Sequence, residues 1–132
     1  MARQDYSDDD DFYEQNFEKK GVLSVWLDRE QLTQADTELD TLQDLCGVGY
    51  YDVDNQESNY GDHDLVDPAR LLAPLSYSQT FSDSVIAAAK KIGIEKARGV
   101  VVQYDFAYNP AVVKRPIAAE PVFIGVFPYS AD

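Results

Sequence analysis

Residues 77–93 read YSQTFSDSVIAAAKKIG, and their spacing decides how the chain is organised. Phe81, Val85, Ala88, Ala89 and Ile92 recur at i, i+4, i+7, i+8 and i+11, which is one stripe of an α-helix. Ser78 or Ser82 is placed to cap the start by accepting a backbone N–H bond. Lys90 and Lys91 fall in the last turn, where a positive charge opposes the helix dipole. Gly93 supplies the left-handed stop. The pattern predicts a helix over about 79–92 with one apolar face to bury.

That face needs a partner layer, and the flanking sequence offers strands. Upstream, Val22-Leu23-Ser24-Val25-Trp26-Leu27 is rich in β-branched and aromatic residues and apolar on both alternating faces, so it belongs inside a sheet. Downstream come Gly99 to Phe106 and then Val122 to Phe127. The connection between these two carries Asn109-Pro110 and Arg115-Pro116 but no helical pattern, which predicts an antiparallel hairpin. The fold class is therefore α+β: a small, mostly antiparallel sheet with the helix packed on one face. Val25, Val101 and Ile124 are expected to meet Phe81, Val85 and Ala89. Trp26, Phe106, Phe123 and Phe127 read as core on periodicity, while Tyr104 and Tyr108 stay open between core and surface. Leu71, Leu72 and Leu75 also return the chain to the core.

The rest of the chain is less regular. Leu39, Leu42 and Leu45, with acids between them, predict a short amphipathic helix over 36–45. Val48 to Val53 reads as a strand, and Asp54 to Asp67 as a long acidic loop. Gly21 marks the start of a single domain, 21–132. Residues 1–20 form either a solvated tail around Asp8-Asp9-Asp10-Asp11 or a short docked helix carrying Tyr13 and Phe17.

Charge separates the functional classes. The chain has 24 acids against 11 bases and a net charge of −13. The excess lies in residues 1–67, with 19 acids and 4 bases. Such a surface repels nucleic-acid phosphates and anionic membranes and attracts cationic proteins. Cys46 has no second cysteine to pair with and sits among Leu42, Leu45 and Val48 as a small buried hydrophobe. No secretory signal and no run of about 20 apolar residues is present, so a cytoplasmic location is expected. A single histidine, His63, leaves nucleophilic triads and zinc sites short of residues. The run beginning at Asp52 and Asp54 lacks the central Gly and closing Glu of a calcium loop. Neither a cofactor nor a metal is expected, and the chain does not read as an enzyme.

Leu23-Ser24-Val25-Trp26-Leu27, the segment Leu75-Ser76-Tyr77-Ser78-Gln79-Thr80-Phe81, and the strands Val101 to Phe106 and Val122 to Phe127 together resemble the immunity protein 22 family of bacterial polymorphic toxin systems. The resemblance covers roughly residues 21–129. It implies a small α+β antitoxin made beside a secreted toxin, which it neutralises by direct binding. The Asp-rich start and the acidic loop 54–67 depart from that pattern.

The candidate partner surface is Tyr50, Tyr51, Asp52 and Asp54 with Tyr60, Asp62, His63 and Asp64. Tyrosines give rigid contact area with a polar tip. Carboxylates around them accept charge-assisted bonds from Arg or Lys. The expected partner is a cognate toxin domain with a basic cleft, a nuclease first among them; a second copy of this chain is another fit for the loop. The alternative is a DNA mimic that blocks a basic nucleic-acid-binding protein. A small enzyme on the same scaffold ranks below both.

Overall fold

The first strand, β1 (Glu18–Asp28), organises the molecule because both of its faces are buried from Leu23 onward. The computed structural model describes residues 17–29, 42, 46, 48, 51–59, 65–113, 117 and 121–130. After β1 come β2 (Gln56–Asn59), α1 (Pro68–Leu72), α2 (Ser82–Lys91), β3 (Gly99–Phe106) and β4 (Val122–Pro128). The strands form one antiparallel sheet in the order β2-β3-β1-β4. This is the α+β architecture that the periodicities predict.

Alternation along the strands divides the core in two. Leu23, Val25 and Leu27 of β1 and Val100, Val102 and Tyr104 of β3 face the helices, where they meet Leu71, Leu72, Phe81, Val85 and Ala89. Trp26, Val101 and Phe106 face the other way, against Phe17, Leu42, Cys46, Val48 and Tyr108. Rings close this second layer: Trp26 and Tyr108 lie 5.1 Å apart by centroid, and Tyr108 and Phe123 4.8 Å apart. Ser24 is polar and fully buried, but its hydroxyl donates to the Phe106 carbonyl at 2.7 Å and accepts from the Tyr108 N–H at 2.9 Å. Both bonds keep the apolar strand free of an unpaired group.

Several expectations are corrected. β3 and β4 do not form a hairpin, because β1 lies between them and pairs with both. A strand buried on both faces takes the interior position, which puts β3 and β4 on opposite sides of β1. Val101 faces away from the helix; Val100 and Val102 do the packing expected of it. Ile92 is 54 % exposed, because α2 ends at Lys91 and leaves it at the C-cap. Neither serine caps α2; Phe81 occupies the N-cap and no side chain bonds there. Gly93 does take the left-handed conformation, at φ 84°. The region read as loop 54–67 contains β2, an edge strand too short and polar to show a period. Residues 51 and 52 are not strand, and Val53–Asn55 is a 3-10 turn. β1 begins before Gly21, which lies inside it, and Phe17 ahead of it is buried. Most of the helix expected over 36–45 lies outside the described residues, as do 1–16 and Lys114-Arg115.

Among the described residues, no helix is long and apolar enough to cross a membrane.

Candidate functional site: a tyrosine-lined acidic cleft

The cleft starts from a break in β1. Glu18 pairs with Phe106 and Leu23 with Tyr104, so β1 spends extra residues opposite Asp105 and bulges. Gly21 makes the bulge at φ 87°. Its N–H donates to Asp105 Oδ1 at 2.9 Å, and the Tyr129 hydroxyl donates to the same oxygen at 2.7 Å. One carboxylate thus ties the bulge to the end of β4. Asp105 itself sits at φ 56°, a left-handed conformation that Asp tolerates better than most residues.

Across from Asp105 stands Tyr77, in the turn between the two helices. It too is left-handed, at φ 60°, and it is 48 % exposed. Asp105 and Tyr77 are the only non-glycine residues at positive φ among those described. Strain of this kind persists where surrounding contacts hold it, and it concentrates at functional positions. The Tyr77 ring stacks on Tyr129 at 5.8 Å, and Tyr104 stands edge-on to both, at 6.2 and 5.2 Å. The Tyr104 hydroxyl donates to the Ser76 carbonyl at 2.6 Å, while the Ser76 N–H donates to Glu57 Oε1 at 2.9 Å. β2 is thereby fastened to the Tyr77 turn.

Two adjoining concavities result, sharing Asn55, Tyr104 and Asp105. One, of about 260 Å³, is walled by Asp54, Glu57 and Asp105 and by the tyrosines Tyr77, Tyr104 and Tyr129. The other, of about 350 Å³, adds Asp52, Gln103, Lys19 and Lys20. Gln103 is 1 % exposed; its Nε2 donates to the Asp52 carbonyl at 2.7 Å, but its Oε1 has no partner among the described residues. An unmet buried acceptor costs about 1–3 kcal/mol.

Burial raises the phenol of Tyr104, with the Glu57 charge adding to it. Tyr129 is pushed up to about 12, first by burial and then by its bond to Asp105. These phenols remain neutral donors at physiological pH, so the cleft offers ring faces, neutral hydroxyls and carboxylates. Chemically that set suits holding a cation.

Of the candidate residues, Asp52 and Asp54 belong to this cleft. Both are exposed, and Asp52 Oδ1 accepts from the Asp54 N–H at 3.0 Å, opening the 3-10 turn. Tyr51 does not join them: it is half-buried and packs on the second core with Trp26 and Tyr108. An aromatic ring next to that apolar layer gains more from burial than from display. Tyr50, Tyr60, Asp62, His63 and Asp64 lie outside the described residues. Sequence reasoning missed Glu57, Tyr77, Asp105 and Tyr129. The available signal was Asp105, a charged residue interrupting an otherwise apolar strand end between Tyr104 and Phe106.

Among the described residues, no three His, Cys, Asp or Glu side chains are close enough together to hold a metal ion. Comparison with protein-family models, with curated proteins and with solved structures finds no match.

Proposed function

We propose that the protein is a binding protein of the immunity type, which captures a cationic protein partner on the acidic tyrosine cleft. The observation that carries this reading is the placing of Asp54, Glu57 and Asp105 on one wall with the half-exposed Tyr77, with Asp52 in the adjoining concavity. Negative charge steers a basic partner and speeds encounter, and tyrosines supply the anchoring contact. An antitoxin needs both, because it must reach the toxin before the toxin reaches its target. The order of the strand and helix motifs resembles the immunity protein 22 family, and that resemblance supports a secreted toxin domain as the partner. Neutralisation is then occlusion of a basic active-site cleft, with no chemistry by this chain.

The test is calorimetric titration with the catalytically inactivated toxin domain encoded next to this chain. Salt is varied so that the Debye length runs from about 30 Å to about 3 Å. A one-to-one complex is expected, weakened by salt and weakened about tenfold, ~1.4 kcal/mol, by Asp52→Asn, Asp54→Asn and Glu57→Gln combined. No complex at any salt overturns the reading. A complex that plain duplex DNA displaces, across several unrelated basic proteins, replaces it with DNA mimicry.

A further inference from the structure

The two concavities differ in charge. Lys19 and Lys20 stand on the wall of one, whereas no base lines the tyrosine-walled one among the described residues. The latter, at about 260 Å³, is smaller than the ~300–1,000 Å³ of typical small-molecule pockets. That volume fits the head of one side chain.

The free valences of the wall are acceptors. Glu57 uses Oε1 for Ser76, and Asp105 uses Oδ1 for both Gly21 and Tyr129, which leaves Glu57 Oε2 and Asp105 Oδ2 without a partner among the described residues. Asp54 contributes its backbone N–H to the turn and keeps its carboxylate exposed. Rings form the rest of the wall: Tyr77 and Tyr129 are stacked at 26°, with Tyr104 edge-on at 85° and 76°. A cation within about 6 Å of such a ring is drawn to its negative face.

We propose that this pocket receives an arginine side chain of the protein partner, with the guanidinium against the Tyr77 ring and its N–H groups donating to Asp54, Glu57 and Asp105. The inference rests on the reading that the partner is a cationic protein, and it adds which group is recognised and where. Arginine fits better than lysine for two reasons. Its planar head stacks on an aromatic ring, and its five donors in a fixed fork can serve carboxylates on several walls at once. A lysine ammonium is a point charge with three donors and no flat face.

The experiment titrates the full-length protein with N-acetyl-arginine amide and follows the tyrosine ring resonances by NMR. The citrulline analogue, which has the same shape without the charge, and the lysine analogue run in parallel. Saturable shifts of the Tyr77 and Tyr129 rings are expected with the arginine amide, half-saturating on the order of millimolar. Citrulline should give none, and lysine a roughly tenfold weaker response. Glu57→Gln and Tyr77→Ala should each weaken arginine roughly tenfold, while Tyr77→Phe, which keeps the ring, should retain it. No saturable ring shift, an equal response to citrulline, or indifference to Glu57→Gln overturns the proposal. If the toxin domain still binds in a salt-dependent manner when the arginine amide does not, only the arginine pocket falls. If neither binds, the reading of the whole cleft falls with it.

Discussion

Val85 and Ile92 share a stripe in the sequence but not an environment in the fold, so one substitution made at both places tests the packing directly. Val85 is fully buried at 0 % and Ile92 is 54 % exposed. In Val85→Asp the carboxyl must stay protonated to remain in the core. Holding it neutral at pH 7, about 3 units above its ordinary pKa, costs about 4 kcal/mol. Lost apolar burial adds about 1.5–3 kcal/mol, and the unpaired carboxyl group about 1–3. The sum, roughly 7–10 kcal/mol, rivals the ~5–15 kcal/mol by which such domains are stable. Val85→Ala removes two methyl groups and should cost about 2–3 kcal/mol. Ile92→Asp loses little burial and places a negative charge at a helix C-terminus, at about 0.3–1 kcal/mol. Urea unfolding followed by the fluorescence of Trp26, the only tryptophan and a buried one, reads all three. With a slope of about 2 kcal/mol/M, Val85→Ala should lower the midpoint by roughly 1–1.5 M and Ile92→Asp by under about 0.5 M. Val85→Asp should show no cooperative transition. A cooperative Val85→Asp protein, or an Ile92→Asp protein damaged as much as Val85→Ala, would refute the assignment of the helix face.

Alkaline titration and the β1 bulge give further tests. The phenols of Tyr104, Tyr108 and Tyr129 are all raised by burial, Tyr129 to about 12 against an ordinary 10.0. The folded chain keeps these protons where the unfolded chain has lost them, so their contribution is complete below pH 10 and disappears as pH climbs through 12 and beyond. Tyrosinate absorbance should therefore show a late component that rises together with unfolding; ionisation of every tyrosine near pH 10 in an intact fold contradicts the burial. Gly21→Ala meets nothing within 4 Å of the new Cβ, so its cost comes from the backbone at φ 87° alone. About 1 kcal/mol and a fall in Tm of roughly 3–5 °C are expected by thermal unfolding, and an unchanged Tm would show that the bulge does not need glycine.

What the sequence disclosed was local. The stripe Phe81, Val85, Ala89 and the apolar runs of β1, β3 and β4 carry their own periods, and each formed close to where it was expected. Pairing was not local. β3 and β4 look like hairpin partners until β1, buried on both faces, claims an edge of each. β2 was hidden because Gln56, Glu57, Ser58 and Asn59 carry no apolar alternation; it exists because β3 offers an open edge. The cleft was half legible. Asp52 and Asp54 stand out in an acidic stretch, but Tyr77, Asp105 and Tyr129 are scattered along the chain and meet only through the sheet. Ile92 failed for a subtler reason. A period of 3.6 continues on paper past Lys91, where α2 ends, so Ile92 at the C-cap leaves the face.

The interior place of β1 also sets an order of events during synthesis. Ser24 bonds the Phe106 carbonyl 82 positions further on, and every pairing of β1 waits for β3 or β4. At about 5–20 residues per second on the ribosome, that delay is on the order of 4–16 s. Throughout it, Val22 to Leu27 is an apolar segment of high β-propensity with no partner strand, the kind of window that aggregates. Asp8 to Asp11 upstream and the acids of 28–67 downstream bracket it with repelling charge. The acidity that would draw a basic partner to the finished protein would also keep nascent chains apart until the last strand arrives.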